Sequence, residues 1–383
     1  MSLASLWCLN PSVDYLNHGS FGACPEAVLG VQSALRRELE HEPVDFLVHA
    51  LPARLDAARA QLCSFLGADA ADLVFVPNAT TGVNTILRSL SFVPGDELLL
   101  TNHTYAACRK TVEFVCQRSG ARAVVAQLPF PCSHDDEIVS AVLGCVTPRT
   151  RLSLLDHVTS PTALILPVAR LVRELESRGV DTLVDGAHAP GMVPLELSTL
   201  GAAYYTGNAH KWLCAPKGAA FLHVRRDRQA GLHPTTISHG YGAGFHAEFD
   251  WTGTLDPTAW LCIPEALRYM AGLMPGGWPE IMAANRALAL AARSLIIDGL
   301  GVEAPCPDTM IGSMAALPLP PAAAGSPAQR LDSKGLHAWF RERRVETWLY
   351  PLPVPLLRIS AQLYNDLRQF ERLSSLLAEA LRG

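Results

Sequence analysis

The chain has 383 residues, a formal net charge of -5, 49% apolar residues and 17% charged ones. That length exceeds one small core, and the apolar balance argues for a well-buried globular protein and against a disordered chain. The slight acidity, with no Lys/Arg run, excludes a typical nucleic-acid binder, and no apolar stretch is long enough to cross a bilayer.

The first residues, MSLASLWCLNPSVDYLNHGS, lack a basic start followed by an apolar run, so no signal peptide is expected. Ten cysteines stand singly from Cys8 to Cys306, with no CxxC pair and no zinc spacing. They are expected as reduced, mostly buried thiols of a cytoplasmic protein, with no metal site. Of the 31 basic residues only four are lysines, Lys110, Lys211, Lys217 and Lys334, so lysine chemistry has few candidates.

In chain order, Pro25 to about Glu40 and His49–Leu66 read as amphipathic helices, with Gly67 as a stop. Short apolar runs then alternate with helical stretches. Leu73–Val76, Glu97–Leu100, Ala123–Ala126, Leu152–Leu155, Thr182–Val184, Ala202–Tyr205 and Ala219–His223 read as buried strands. Helices are expected near Val83–Leu90, Tyr105–Arg118, Asp135–Gly144 and Val168–Arg178. This alternation predicts an α/β fold with a mostly parallel seven-stranded sheet sandwiched by helices.

After about Asp250 the rhythm changes. A helical region over Pro257–Gly299 is interrupted by the turn-rich MPGGWP segment. A strand near Met310–Leu317, a helix near Asp332–Arg343, strands Val345–Tyr350 and Val354–Ile359, and a helix Asp366–Leu381 follow. They predict a smaller α+β domain. Residues 17–250 are assigned to the large domain, and 1–16 with 251–383 to the small one.

Five segments carry chemistry. In YYTGNAHKWLCAPKG, Lys211 follows a strand and is flanked by His210 and Trp212. Partial loss of hydration there lowers an amine's pKa and favours the neutral form that attacks an aldehyde. In VDGAHAPG, Asp185 closes a buried strand, where an acid needs a cation or donors. A protonated ring nitrogen is one such partner and an internal arginine or a helix cap another; His188 follows three residues on.

FVPNATTGVN passes from a strand into a helix start, where backbone N–H groups with Asn78, Thr80 and Thr81 suit an anion or a plain cap. In TNHTYAACR, Tyr105 first and His103 second are candidates to stack on a flat ring, or else to pack. In PLLRISAQLYND, Arg358 ends a strand and suits a substrate carboxylate, although a salt bridge is the commoner role.

These motifs resemble the class V group of fold type I pyridoxal-phosphate enzymes, most closely the isopenicillin N epimerase-like branch. The resemblance is carried by YLNHGSFG, FVPNATTGVN, DHVTSPTALILPV, VDGAHAPG, GNAHKWLCAPKG, WTGTLDPTAW, APCPDTMIGSMAALPLP and LRISAQLYN, and spans nearly the whole chain. It implies pyridoxal 5'-phosphate held as a Schiff base on Lys211, with Asp185 on the pyridine nitrogen and His188 close by. Thr80, Asn208 and His210 face the phosphate, joined by Thr254 from a neighbouring subunit, which implies a homodimer. Arg358 takes the substrate α-carboxylate, and Asn17 and His18 lie near the substrate.

Two departures stand out. Relatives often carry paired histidines where this chain has Asn102–Tyr105. Cysteine desulfurases need a nucleophilic Cys on a mobile loop; Cys262 and Cys306 lie in stretches that resemble ordinary epimerase-like sequence, so desulfuration is not expected. The implied activity acts on an amino acid or its conjugate, through an external aldimine and a Cα carbanion. Epimerisation and C–S β-elimination lead, ahead of transamination or decarboxylation, in secondary metabolism. A cofactor-binding protein without turnover is the remote alternative. The regulators of this fold add a DNA-binding domain, for which there is no room before Tyr15. Nucleic-acid and membrane partners are not expected.

Overall fold

The computed structural model describes residues 3–351 and 354–382. Strand β1 (Asp14–Tyr15) opens the chain, and β2 (Leu73–Val76), β3 (Glu97–Thr101), β4 (Arg122–Ala126) and β5 (Thr150–Asp156) follow it. Next come β6 (Asp181–Asp185), β7 (Tyr204–Asn208) and β8 (Ala220–Val224). Strands β2 to β8 make one seven-stranded sheet in the order β2-β8-β7-β6-β5-β3-β4, parallel except for β8. This is the sheet expected from the apolar runs.

The side chains explain why it is buried on both faces. Leu98, Leu100, Leu152, Leu154 and Leu183 pack to one side, with Val83, Ile86 and Val112 of the covering helices. Their alternating neighbours Leu99, Leu155 and Val184 pack to the other, with Ile138, Leu171 and Leu175. A period of two with apolar residues on both faces is the signature of a sheet between helical layers.

A second, antiparallel sheet is formed by β9 (Met314–Pro318), β11 (Trp348–Tyr350) and β12 (Leu356–Ser360), with β12 central. Strand β10 (Val345–Glu346) pairs in parallel with β1, which ties the first residues to the C-terminal third. The single strand expected over Val345–Tyr350 is therefore two. They separate at Thr347, whose side chain turns in to donate to the Arg358 carbonyl at 3.0 Å.

Other boundaries moved for identifiable reasons. The strand expected at Ala202–Tyr205 runs from Tyr204 to Asn208, because pairing with both β6 and β8 holds the Thr-Gly-Asn end extended despite its poor intrinsic strand propensity. The helix expected at Val83 starts at Ala79, since Asn78 Oδ1 accepts from the Thr81 N–H at 2.8 Å and caps it. The long C-terminal helical region divides into Thr258–Leu261, Ile263–Ala271 and Gly277–Leu300, with its main break in the MPGGWP turn.

Gly82 lets that capped helix lie close on the sheet. A Cβ there would meet Thr206 Oγ1 at 2.2 Å. Gly82→Ala is therefore expected to lift the helix start and cost about 1–3 kcal/mol, as overpacking does. A fall in the denaturant midpoint at constant slope checks this.

Candidate active site

The C-terminal ends of β5, β6 and β7 and the capped start of helix Ala79–Ser89 enclose a cavity of about 270 Å³. Open α/β sheets place ligands at this edge. Lys211, Asp185, His188, Asn78, Thr80, Tyr105, Asn208 and His210 all line it.

Lys211 sits in the turn after β7. Its Nζ is 3.2 Å from His188 Nε2. Burial, then the Arg358 charge, push the amine down from the ordinary lysine value to about 7, against the opposing pull of Asp185. The turn is clamped from below: the Lys211 carbonyl accepts from the Cys214 N–H at 3.0 Å and from His18 Nε2 at 3.0 Å. A carbonyl only accepts, so His18 carries its proton on Nε2 and takes the Tyr364 hydroxyl proton on Nδ1 at 2.8 Å. Burial holds His18 neutral, with its pKa lowered to about 3. His18 therefore supports the lysine backbone and does not itself line the cavity.

Gly22 adds a second clamp. It adopts φ 70, and a Cβ there would approach His210 O to 2.1 Å and Lys211 Cα to 2.9 Å. Only glycine combines that backbone conformation with so close an approach.

Asp185, the last residue of β6, accepts from the Ala187 N–H at 3.0 Å on Oδ1 and from the Cys108 thiol at 3.3 Å on Oδ2. Burial raises its carboxyl above the usual range, while those donors and the Lys211 charge pull it down. A cation arriving beside it completes the shift toward the charged form. Burial, with the nearby charges of Lys211 and Arg358 adding to it, drives His188 well below its ordinary pKa. Its Nδ1 is buried with no hydrogen-bond partner.

At the helix start, the Ala79 N–H donates to Asn208 Oδ1 at 2.8 Å, which leaves the Asn208 amide hydrogens toward the cavity. The Thr81 hydroxyl is spent on Asn78 Oδ1 at 3.1 Å and Thr81 does not line the cavity, whereas Thr80 does. His210 Nδ1 donates to the Ala219 carbonyl at 2.9 Å, so its Nε2 is the free nitrogen. Burial and the Lys211 charge lower its pKa to about 4. Of the two ring-stacking candidates, Tyr105 stands at the cavity, while His103 is turned to the Thr162 hydroxyl at 3.1 Å.

Arg358 comes from β12 and is buried to 1% exposure. Its Nη1 donates to Ser160 O at 2.8 Å, Ser160 Oγ at 3.1 Å and Tyr350 OH at 2.9 Å. Its Nη2 donates to Asn17 Oδ1 at 3.2 Å and Ser20 Oγ at 2.8 Å, and Nε has no partner. No carboxylate pairs with it among the described residues, so the commoner role of such an arginine, a salt bridge, is not the one it plays within this chain. Asn17 serves Arg358 and is not itself in the lining. Thr254 lies exposed in the loop after helix Phe245–Asp250 and does not reach the cavity of its own chain.

Sequence reasoning passed over Asp156, Ser160, Ser20, Phe21 and Cys108. Asp156 offered the same signal as Asp185, an acid closing an apolar strand. Cys262 and Cys306 are buried, with thiols pushed up to about 12 and about 11. Neither stands at the cavity.

A profile of the family Aminotransferase class-V matches residues 39–335. The chain belongs to that family. It is 38% identical to isopenicillin N epimerase of Streptomyces clavuligerus over 98% of this chain and 96% of that protein. It is 31% identical to a probable chloroplastic L-cysteine desulfhydrase of Arabidopsis thaliana, over 95% and 82%. The fold is similar to a cystine C–S lyase solved with its product cysteine persulfide, with TM-score 0.79 and 20% identity over 97% and 98% of the two chains. Family and fold agree with the resemblance seen in the motifs, with pyridoxal phosphate as cofactor and with an enzyme of isomerase or lyase type.

The depressed lysine predicts a pH dependence with a definite sign. Only the neutral amine attacks an aldehyde, so below pH about 7 the reactive fraction falls tenfold per unit and above it levels off. Stopped-flow mixing of cofactor-free protein with pyridoxal phosphate should give a rate with its midpoint near 7. An ordinary lysine would keep accelerating to beyond pH 9.

Proposed function

We propose that this chain binds pyridoxal 5'-phosphate on Lys211 and uses it to remove the Cα proton of an amino acid or amino-acid conjugate. The supporting observation is a neutral-leaning lysine and a buried acid at one cavity, with a buried, carboxylate-free arginine hydrogen-bonded to Ser160 and Ser20 of its lining. The donor set fits the cofactor. Lys211 meets the aldehyde, Asp185 the ring nitrogen, and the helix start with Asn78, Thr80 and Asn208 the phosphate. His188, with an unpartnered Nδ1, offers one further donor or acceptor.

When bound, the cofactor supplies an electron-withdrawing ring that absorbs the charge left at Cα. The protein residues do the rest. Arg358 holds the substrate carboxylate with a guanidinium already oriented by Ser160, Tyr350, Asn17 and Ser20. Lys211, once its nitrogen is released, is a base whose proton affinity suits neutral pH. Asp185 would keep the ring nitrogen charged, and Tyr105, at the cavity, would be the residue to stack on the ring. His210, whose Nδ1 is committed to Ala219, must take a proton on Nε2 to donate to a phosphate, and the phosphate charge favours that.

The proton can return on the opposite face, giving an epimer, or a β-sulfur substituent can leave. Relatives named as an epimerase and as cysteine desulfhydrases support both outcomes. The same reading assigns residues 17–250 to the cofactor domain and 1–16 with 251–383 to the small domain; positions 1, 2, 352, 353 and 383 lie outside the described residues. It makes the enzyme a cytoplasmic homodimer of secondary metabolism in which Thr254 completes the partner's phosphate site. Ten unpaired cysteines accord with a reducing compartment. No helix among the described residues is long and apolar enough to cross a membrane.

Incubation of the loaded enzyme in D2O with cysteine, a cysteine S-conjugate and a panel of amino acids tests this reading. Deuterium at Cα of inverted substrate means epimerase, and pyruvate with free thiol means lyase. Absence of any Cα exchange across the panel contradicts both. Arg358→Gln should lower kcat/KM by roughly 10- to 100-fold, the worth of a charge-assisted bond. It should also move the Lys211 midpoint upward, because a cation that opposes its protonation is gone.

A further inference from the structure

Asp156 ends β5 as Asp185 ends β6, and the two residues are paired in register on neighbouring parallel strands. Both are buried, at 2% and 4% exposure, and both line the cavity. Two carboxylates this close in a water-poor site do not both ionise readily, so the pair divides into one acid and one base.

The hydrogen-bond donors decide which is which. Asp185 receives a donor on each oxygen, from Ala187 and Cys108, and lies within the field of Lys211. Asp156 receives the Tyr105 N–H on Oδ1 at a long 3.3 Å, with some help from the Thr104 hydroxyl. Its Oδ2 is buried and has no partner at all. A bare anionic oxygen out of water is costly, whereas a protonated Oδ2 is a neutral group.

The other groups around the pair do not supply the missing cation to Asp156. The Cys108 thiol, from helix Ala106–Ser119, is itself held protonated by burial and by both carboxyls. Tyr105 stays a phenol, raised chiefly by burial. His157 turns away to the Tyr205 hydroxyl at 2.9 Å, and burial keeps it neutral. The positive charge of Lys211 bears on Asp185.

We propose that Asp156 is a positioning residue that keeps its proton through the working pH range, leaving Asp185 as the single charged carboxylate offered to the ring nitrogen. This rests on the reading of Asp185 as the ring-nitrogen partner. It also protects the lysine. A second anion at the cavity floor would stabilise the Lys211 ammonium and withhold the nucleophile.

Infrared spectra of the protein, cofactor-free and loaded, between about pH 5 and 9 test this. A protonated-carboxyl C=O band should persist to the alkaline limit, shift with 13C-aspartate labelling, and vanish in Asp156→Asn. Absence of such a band from the labelled wild-type protein overturns the proposal whether or not the variant folds, as does a band that survives in the variant. The cofactor-free measurement is independent of whether Lys211 forms an imine. In the loaded enzyme, Asp156→Asn exchanges one neutral group for another, so the pH midpoint of the visible band should move by less than about 0.3 unit. A fall of about one unit or more, the result of removing an anion near a cation, overturns it.

Discussion

Lys211 can act as a nucleophile near neutral pH because the fold strips water from its amine while holding a second cation, Arg358, within electrostatic reach. Desolvation and like charge both oppose protonation, and Asp185 opposes them. In the proposed role of the site, too little carboxylate charge there would leave the ring nitrogen without a partner, and too much would lock the lysine as an ammonium. The rest of the site serves this balance. One acid is furnished with a donor on each oxygen, its strand neighbour has one oxygen left bare, and the surrounding imidazoles are buried in their neutral form.

The architecture fixes these groups without long-range guesswork. Lys211, Asp185, Asp156 and Asn208 all stand at or just beyond the C-terminal ends of adjacent parallel strands, so sheet pairing sets their relative heights. Arg358 arrives from the antiparallel sheet, and the Asn17–Gly22 segment joins the two. It accepts from the guanidinium through Asn17 Oδ1 and Ser20 Oγ, then presses Gly22 against the lysine turn. The buried guanidinium makes five hydrogen bonds to neutral oxygens through Nη1 and Nη2, and its Nε is left bare. A cation so prepared, with no anion of its own, is oriented for an anion that comes from outside the chain.

Most of this was legible from residue order. Apolar runs placed the large sheet, because short apolar runs between helices suit buried parallel strands, and the scarcity of lysine pointed to Lys211, which lines the cavity. Details that depend on partners distant in sequence were not legible. Nothing in NHGS tells that His18 supports the Lys211 carbonyl 193 residues away instead of lining the cavity. Thr81 looked like an anion ligand until Asn78 claimed its hydroxyl, and Val345–Tyr350 looked continuous because its two halves pair with different strands. Asp156 was readable by the same rule as Asp185, but its importance lies in sharing a register with it, which only the sheet reveals.

Lys217 is the nearby competitor, also lowered by burial but standing outside the cavity that Lys211 lines. Borohydride reduction of the protein with pyridoxal phosphate, followed by peptide mass mapping, separates the two most directly. One stoichiometric phosphopyridoxyl adduct, on Lys211, is expected. An unmodified Lys211, with label on Lys217 or spread over surface amines, would contradict it.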